Sequence, residues 1–573
     1  MVELKKREQW AWWVAGTSVL LTVLSIAGYV ILSAAFTLIT GSSLSQPFIA
    51  LLASGQQALA WSGWCCLLVW WLLGRWSRRG SWVASNRFTW LICLAGGAAA
   101  LIVQAVLFEN VPHITDATSH LFQARILGSG RLAVPNPPCV EAFFQHNVVI
   151  GKSGWWHTKY FPGQALWLSP WVALGLTWLA MPLAWTLCLR ALHAVARCFV
   201  PAREAGLAIS LLAFSPLGLL VSASFMSHTT FLLFMAGGCA LLLASMDRPE
   251  KAPRRLGLIA AGTLVGLAAI TRPQDLVPFG VVLVFAAVVA PAAARGSLFR
   301  SIPWAGAGVL LPLAFLLFWN QRLYGGWLSS GYHFGESISL TPIIRDAMGF
   351  SEFHTPARAL HSSLLTLYRM DGAMLGWPTA LPFCLVPFMR RRWDLLDVAC
   401  AGWAATTVGL YALFHYQGFE LEARYYLPAL PPLALLATRG ILRLADGAGE
   451  RSGSTRRLAA WLAGLYTFAA LHYWPIYIAP KYGDRYEQVG RDYHAQAQAW
   501  QDQQGGVPLL VLIEDSAEKD FHYSAGFIFN DPDLQASIVY ARLIPDQLAC
   551  LKQAFPERQV VRITPEGALV PME

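Results

Sequence analysis

Apolar runs recur along almost the whole chain, separated by short polar links. They lie near 12–37, 48–73, 88–108, 182–199, 205–223, 229–245, 256–270, 275–294, 302–319, 374–389, 397–415, 427–441 and 457–478. Most approach the ~20 residues that an α-helix needs to cross a hydrocarbon core of ~30 Å. The pattern predicts an all-α polytopic membrane protein with about thirteen crossings. The run 164–181 is the exception. Counted as a crossing, it puts Arg190, Arg197 and Arg203 outside and inverts every later loop, so it reads as a re-entrant or surface-lying segment.

Two polar tracts interrupt this pattern. The first, Glu109 to Gly163, has Asp116 just beyond the end of an apolar run, an amphipathic helix over 117–128 and a Lys159-Tyr160-Phe161-Pro162-Gly163 turn at its exit. Long loops rich in ionisable residues beside a bilayer carry chemistry at the membrane surface. The second tract, Lys481 to Glu573, has the periodicity of a soluble protein. Val507–Ile513, Ser537–Arg542 and Gln559–Ile563 read as strands and Pro545–Ala554 as a helix, which makes a small C-terminal α/β domain. Within it, Phe527–Gln535 (FIFNDPDLQ) is a turn-rich loop, because Asn-Asp-Pro initiates turns; a metal or sugar site at Asp531 and Asp533 has no support. The expected division is two transmembrane helices in 1–87, a transmembrane core in 88–479 and the small domain in 480–573.

Composition agrees with the pattern: 56% of the 573 residues are hydrophobic and 13% charged, against about a quarter charged in soluble proteins. The net charge of +9 does not point to nucleic acid, since the basic residues fall in clusters between apolar runs: Lys5–Arg7, Arg75–Arg79, Arg248–Arg255, Arg390–Arg392 and Arg451–Arg457. Under the positive-inside rule these are cytoplasmic, which puts 109–163, 320–360, 416–426 and the tail outside. The first cluster precedes more than 20 apolar residues without a small-residue cleavage site, so it reads as a retained anchor. The ten cysteines show no paired C-x-x-C, and most sit in apolar runs as small core residues.

Five motifs occur in order: Asp116 to Leu132 with Tyr160-Phe161-Pro162-Gly163, Ser222–His228 (SASFMSH), Thr271-Arg272-Pro273, Asn320–Gly326 (NQRLYGG) and Ala423–Pro431 (ARYYLPALP). An acid at the start of the first large outer loop, a juxtamembrane helix and a Lys-Tyr-Pro-type turn resemble the GT-C superfamily of integral-membrane glycosyltransferases. That group includes protein O-mannosyltransferases and aminoarabinose transferases, and the pattern is nearest to bacterial members resembling glycosyltransferase family 39. The resemblance covers roughly residues 88–440. It implies a multi-pass protein of the bacterial inner membrane, with the active site and the C-terminal domain on the periplasmic face. The sequence departs from the pattern in having Ala117 where many members have a second acid, which argues against mechanisms that need adjacent carboxylates.

A donor of the implied kind, a polyprenyl-phosphate sugar, keeps its isoprenoid in the bilayer and its phosphate at the outer surface. Asp116 is then the candidate general base for an acceptor hydroxyl in an inverting transfer, a role worth ~10²–10⁴-fold; the alternative is that it caps the helix 117–128. Lys159, Arg272 and Arg424 are candidates for the donor phosphate, arginine by two parallel hydrogen bonds and lysine as a point charge. Against this, Arg424 precedes Tyr425 and Tyr426 as a snorkelling interfacial arginine would, and Arg272 could end a helix. His120, His157, Tyr160, Glu422 and Tyr425 are candidate substrate-binding residues, although Glu420 and Glu422 could equally pair with Arg424 or remain solvated. His113, His120 and His157 share a loop with Asp116, yet a lone surface histidine is commoner than a ligand. A divalent metal is not favoured and no cofactor is expected. His228 reads as a structural hydrogen-bonder.

The expected partners are the lipid-linked sugar, a lipid, glycan or protein acceptor and the bilayer, without nucleic acid. The alternatives are a transporter or flippase for a lipid-linked or envelope glycan and a non-catalytic membrane scaffold. A transporter calls for charges within its spans and helices broken in corresponding halves, whereas here the ionisable residues cluster at boundaries.

Overall fold

The structure, a computed structural model, describes residues 86–572 apart from 152–153, 247–253, 333–348, 352–353, 377–379, 390–392, 415–419, 447–461, 463, 484–489, 515–521 and 565–567. The crossings expected at 12–37 and 48–73 lie outside the described residues. Among those described, five helices are long and apolar enough to cross a membrane: Asn86–Val106, Thr177–Ala196, Ser227–Ser245, Ala294–Tyr324 and Leu395–Ala412. A sixth crossing results if Ala202–Ala213 and Pro216–Ser222, bent by 60° at Phe214-Ser215, form one span. Arg255–Ala269 and Pro273–Val289 are shorter apolar helices.

Small residues let these helices approach closely, as they do where lipid removes the hydrophobic drive between helices. A Cβ on Gly262 would lie 1.8 Å from the Ala305 carbonyl oxygen, and one on Gly308 would lie 2.0 Å from that of Ile259. The contact is therefore backbone against backbone from both sides.

Three of the expected segments differ. The run 164–181 is divided into a helix Gly163–Ala173 and the start of Thr177–Ala196, with Gly175 at φ 69° between them. Eleven residues rise only ~16 Å, too little to cross, and the following span begins five residues before 182. The helix Pro356–Leu375 occupies a region read partly as outer loop. Arg358, His361, Arg369 and Asp371 hold it below transmembrane hydropathy, yet its start is well marked: Thr355 accepts from the Arg358 amide and Pro356 takes the first helical position. The crossing expected at 374–389 is replaced by a helix Leu381–Met389 that is too short to span by itself.

The loop 109–163 folds into a helix, Thr115–Gly128, and a three-stranded antiparallel sheet of β1 (Val134–Pro135), β2 (Val148–Ile150) and β3 (Trp155–Thr158) in the order β1-β3-β2. The helix is not amphipathic in its setting. Every residue from Ala117 to Ala124 is buried, because the sheet covers one side and the tail another.

The tail forms a four-stranded sheet, order β5-β4-β6-β7, from β4 (Leu509–Ile513), β5 (Ile538–Arg542), β6 (Gln559–Ile563) and β7 (Leu569–Pro571). β4 pairs in parallel with both β5 and β6 and is buried throughout, which its uninterrupted LLVLI sequence allows. The helices Gly490–Gln503, His522–Phe527 and Leu548–Ala554 pack with it, the last led in by a 3₁₀ turn Pro545–Gln547 where the sequence predicts a helix. Its core is continuous with the outer loop: the Phe527 ring lies 5.3 Å from Phe122 and 5.8 Å from Trp156. Arg125 donates to the Asn530 carbonyl at 2.8 Å, and Arg131 grips Asp533 with two nitrogens at 2.7 and 2.6 Å. Asp531 accepts from the amides of Asp533 and Ala536, so FIFNDPDLQ is a self-braced turn that docks the loop.

A disulfide, Cys139–Cys550, closes the same interface. These two cysteines stand in the polar tracts, outside the apolar runs whose cysteines read as small core residues. Disulfides persist in oxidising compartments, and this one places the first loop and the tail on the same side of any membrane.

Candidate functional site

Asp116 stands in the first turn of Thr115–Gly128, where the helix dipole favours an acid. It does not cap the helix: the N-cap is Ile114, with no side-chain cap bond. Its carboxylate instead accepts at Oδ1 from the Tyr160 hydroxyl at 2.6 Å and the Asn147 amide at 2.7 Å, while Oδ2 faces Arg424 at 3.6 Å. Asn147, at φ 66°, takes the left-handed conformation that Asn tolerates well. Its carbonyl accepts from Ser119 Oγ and the Lys159 amide, so one residue ties the helix to the Lys159 turn.

Lys159 places its ammonium 5.1 Å from the Tyr160 ring centre and 5.8 Å from that of Tyr332. His120, one turn beyond Asp116, lies with its ring 4.6 Å from Tyr160, and its Nδ1 finds no partner. The exit of the turn is fixed by Gly163, whose amide donates to the Ile270 carbonyl at 2.9 Å and whose absent Cβ leaves room for the Thr271 backbone.

Arg424 opens the short 3₁₀ segment Arg424–Ala429 and is 2% exposed. It donates to the Glu420 carbonyl at 3.1 Å and the Tyr425 hydroxyl at 3.3 Å, pairs with the Glu420 carboxylate at 3.3 Å and leaves Nε unpartnered. Burial this complete excludes a snorkelling side chain at an aromatic belt. Glu422 does not pair with Arg424 and is not solvated. It is fully buried, its Oε1 accepts from Lys481 and Tyr482, and its Oε2 is unpartnered.

Arg272 has three bonds: Nε to Asp275, one terminal nitrogen to Ser227 Oγ at 3.3 Å and the other to the Tyr411 hydroxyl at 2.8 Å. Tyr411 in turn donates to Asp275. This triad lies beside the first group, since the Tyr411 ring stands 5.1 Å from that of Tyr425 and Gly163 is bonded to Ile270, two residues before Arg272. Asp116, His120, Lys159, Tyr160, Arg424 and Tyr425 are thus brought together, with Arg272 adjacent. His157 is not among them: it is a buried strand residue whose Nδ1 donates to the Thr158 carbonyl and whose ring meets Tyr324 edge-on. His113 is turned toward the Tyr482 carbonyl, so the three histidines diverge.

The electrostatics follow from these contacts. Burial raises the Asp116 carboxyl, but Arg424, Lys159 and the Tyr160 hydroxyl outweigh it and hold the group below the usual carboxylate range. Burial draws the Lys159 ammonium downward against Asp116, and brings His120 to about 4 despite the same carboxylate, leaving its ring neutral near pH 7. Burial and then Asp116 push the Tyr160 hydroxyl well up, so it remains a donor. The group is an ionised acid among two cations and several fixed hydrogen-bond donors. It can accept a proton and bind an anion in one place.

The sequence singled out neither Asn147 nor the Asp275–Tyr411 pair. Both act on their partners through tertiary contacts that no local pattern marks.

No protein-family model and no curated protein matches the sequence. Solved structures do. The crystal structure of ArnT from Cupriavidus metallidurans bound to undecaprenyl phosphate superposes with a TM-score of 0.51 and 15% identity, over 83% of this chain and 93% of ArnT. Its apo structure gives 0.50 and 16%, over 84% and 94%. At such identity the likeness is one of fold: this chain shares the fold of ArnT, in keeping with the GT-C resemblance of its motifs.

Proposed function

We propose that the protein transfers a sugar from a polyprenyl-phosphate donor to an acceptor hydroxyl at the outer face of a bacterial inner membrane, inverting the anomeric carbon. The observation that carries this reading is the 3.6 Å approach of the Asp116 carboxylate to Arg424, with Lys159 in the same group. The acceptor oxygen attacks the anomeric carbon, the bond from that carbon to the phosphate oxygen breaks, and the acceptor proton passes to Asp116. The lipid phosphate leaves with the electron pair, against Arg424 and Lys159.

Donor binding also tunes the base. A phosphate that engages Arg424 and Lys159 offsets the two charges that hold Asp116 below its usual range, so the carboxylate gains proton affinity when the donor is in place. That the fold is shared with an ArnT crystallised with undecaprenyl phosphate supports a donor of this class. The Cys139–Cys550 pair supports an oxidising, periplasmic location for loop and tail. We assign the full complement of about thirteen crossings, and the division at 88 and 480, to the same proposal.

Two measurements test it. Lipid extracted from the purified protein should contain a polyprenyl phosphate or its glycoside by mass spectrometry. Vesicle-reconstituted protein should release polyprenyl phosphate from a labelled polyprenyl-phosphate sugar only when an acceptor is present. Acceptor-independent behaviour with no bound polyprenyl lipid would overturn the reading.

A further inference from the structure

His228 is 1% exposed, and neither of its ring nitrogens has a partner. A buried imidazole with both nitrogens bare forgoes hydrogen bonds it would make in water, and such a group calls for an explanation. Its ring lies 5.9 Å from that of Tyr425, the residue whose hydroxyl accepts from Arg424. Its neighbour Ser227 accepts from Arg272, so the ring stands beside both arginines of the site. His228 also sits in the first turn of Ser227–Ser245, a 19-residue helix whose N-cap, Met226, supplies no side-chain cap bond. Amides of an uncapped first turn point outward and favour an anion.

We propose that His228 and the amino end of Ser227–Ser245 complete the anion site with Arg424: the imidazole donates one N–H to an oxygen of the lipid phosphate while the first-turn amides face the same group. This rests on the donor class proposed above and adds a residue that the motif reading had taken as structural. A neutral imidazole always offers one N–H and one acceptor nitrogen. The donor binds the phosphate oxygen, and the acceptor nitrogen is left for the hydroxyl of the lipid-linked sugar. As the glycosidic bond breaks, the phosphate passes from diester to monoester and gains charge, so the contact strengthens along the reaction.

The test compares a polyprenyl phosphate with the uncharged polyprenol of the same length, both presented in mixed micelles to the full-length protein. Wild type should prefer the phosphate. His228→Leu and His228→Ala should lose about tenfold of that preference, the size expected for one hydrogen bond to a charged group, with polyprenol binding unchanged. His228→Gln, which keeps a side-chain N–H, should recover most of it. Leu fills the space of the ring, so a folding defect of the Ala variant does not decide the outcome. A phosphate preference equal to wild type in His228→Leu would overturn this assignment. Absence of any preference in wild type would overturn the donor class instead.

Discussion

The Tyr160 hydroxyl donates to Asp116 Oδ1 at 2.6 Å across 44 residues of sequence. This bond joins the two ends of the outer loop at the residue assigned to proton transfer, and it makes the basicity of that residue open to measurement.

Tyr160→Phe should move the acid limb of the pH–rate profile upward. The Asp116 carboxyl lies below its usual range because Arg424, Lys159 and the Tyr160 hydroxyl together outweigh burial. Activity that needs the carboxylate is present above its pKa and is lost as pH falls through it. Removing one of the groups that lower the pKa makes that loss begin at higher pH. An acid limb in the same place as wild type would contradict the assignment of base to Asp116.

Asp116→Asn should lower turnover by ~10²–10⁴-fold, the contribution of a general base, while melting temperature changes little. Because the helix start is not capped by Asp116, loss of activity cannot be traced to loss of a cap. Transfer assays and thermal melts on one preparation read both quantities.

Arg424→Lys should raise the donor KM and Arg424→Ala should raise it further. A lysine restores charge but not the fork that reaches Glu420 and Tyr425 together. Arg424→Ala also removes the cation facing Asp116, so its acid limb should shift upward as in Tyr160→Phe. A donor KM unchanged in both variants would leave the phosphate without this cation.

Gly163→Ala should destabilise the site by about 1–3 kcal/mol, as overpacking does. A Cβ there would lie 2.0 Å from Thr271 Oγ1, 2.8 Å from Thr271 Cα and 2.9 Å from the Ile270 carbonyl oxygen. The turn carrying Lys159 and Tyr160 would be pushed from the Arg272 segment, and both the melting temperature and donor KM should report it.

Cys550→Ser should lower stability by ~2–4 kcal/mol, since the bond it removes spans 411 residues of sequence. Alkylation with and without reductant, read as a gel shift, should show Cys139 protected in wild type and reactive in the variant.

Legibility followed the range of the forces involved. Apolar runs marked Asn86–Val106, Ser227–Ser245 and Leu395–Ala412 because a span answers to its own composition. Pro356–Leu375 escaped because Arg369 and Asp371 dilute that composition, although Thr355-Pro356 gave its start. In the tail, β4 was legible from continuous apolar residues and β5 and β6 from β-branched and aromatic ones, whereas three-residue β7 was too short to carry a pattern. Asp116, Lys159 and Arg424 stood out as charges at boundaries. Their mutual distances, the Asn147 bond and the burial of Glu422 depend on how distant segments pack. The Cys139–Cys550 pair did have a signal, as both cysteines stand in polar tracts that the charge rule puts outside.

The tail grips the carboxyl end of Thr115–Gly128 through Arg125 and Arg131, while Asp116 rides on the opposite end. An α-helix of this length is a stiff rod of about 20 Å, so the position of its first turn is tied to the contacts that the tail makes with its last. In that mechanical sense a carboxylate of the first loop and a turn more than 400 residues later are two ends of one rigid part.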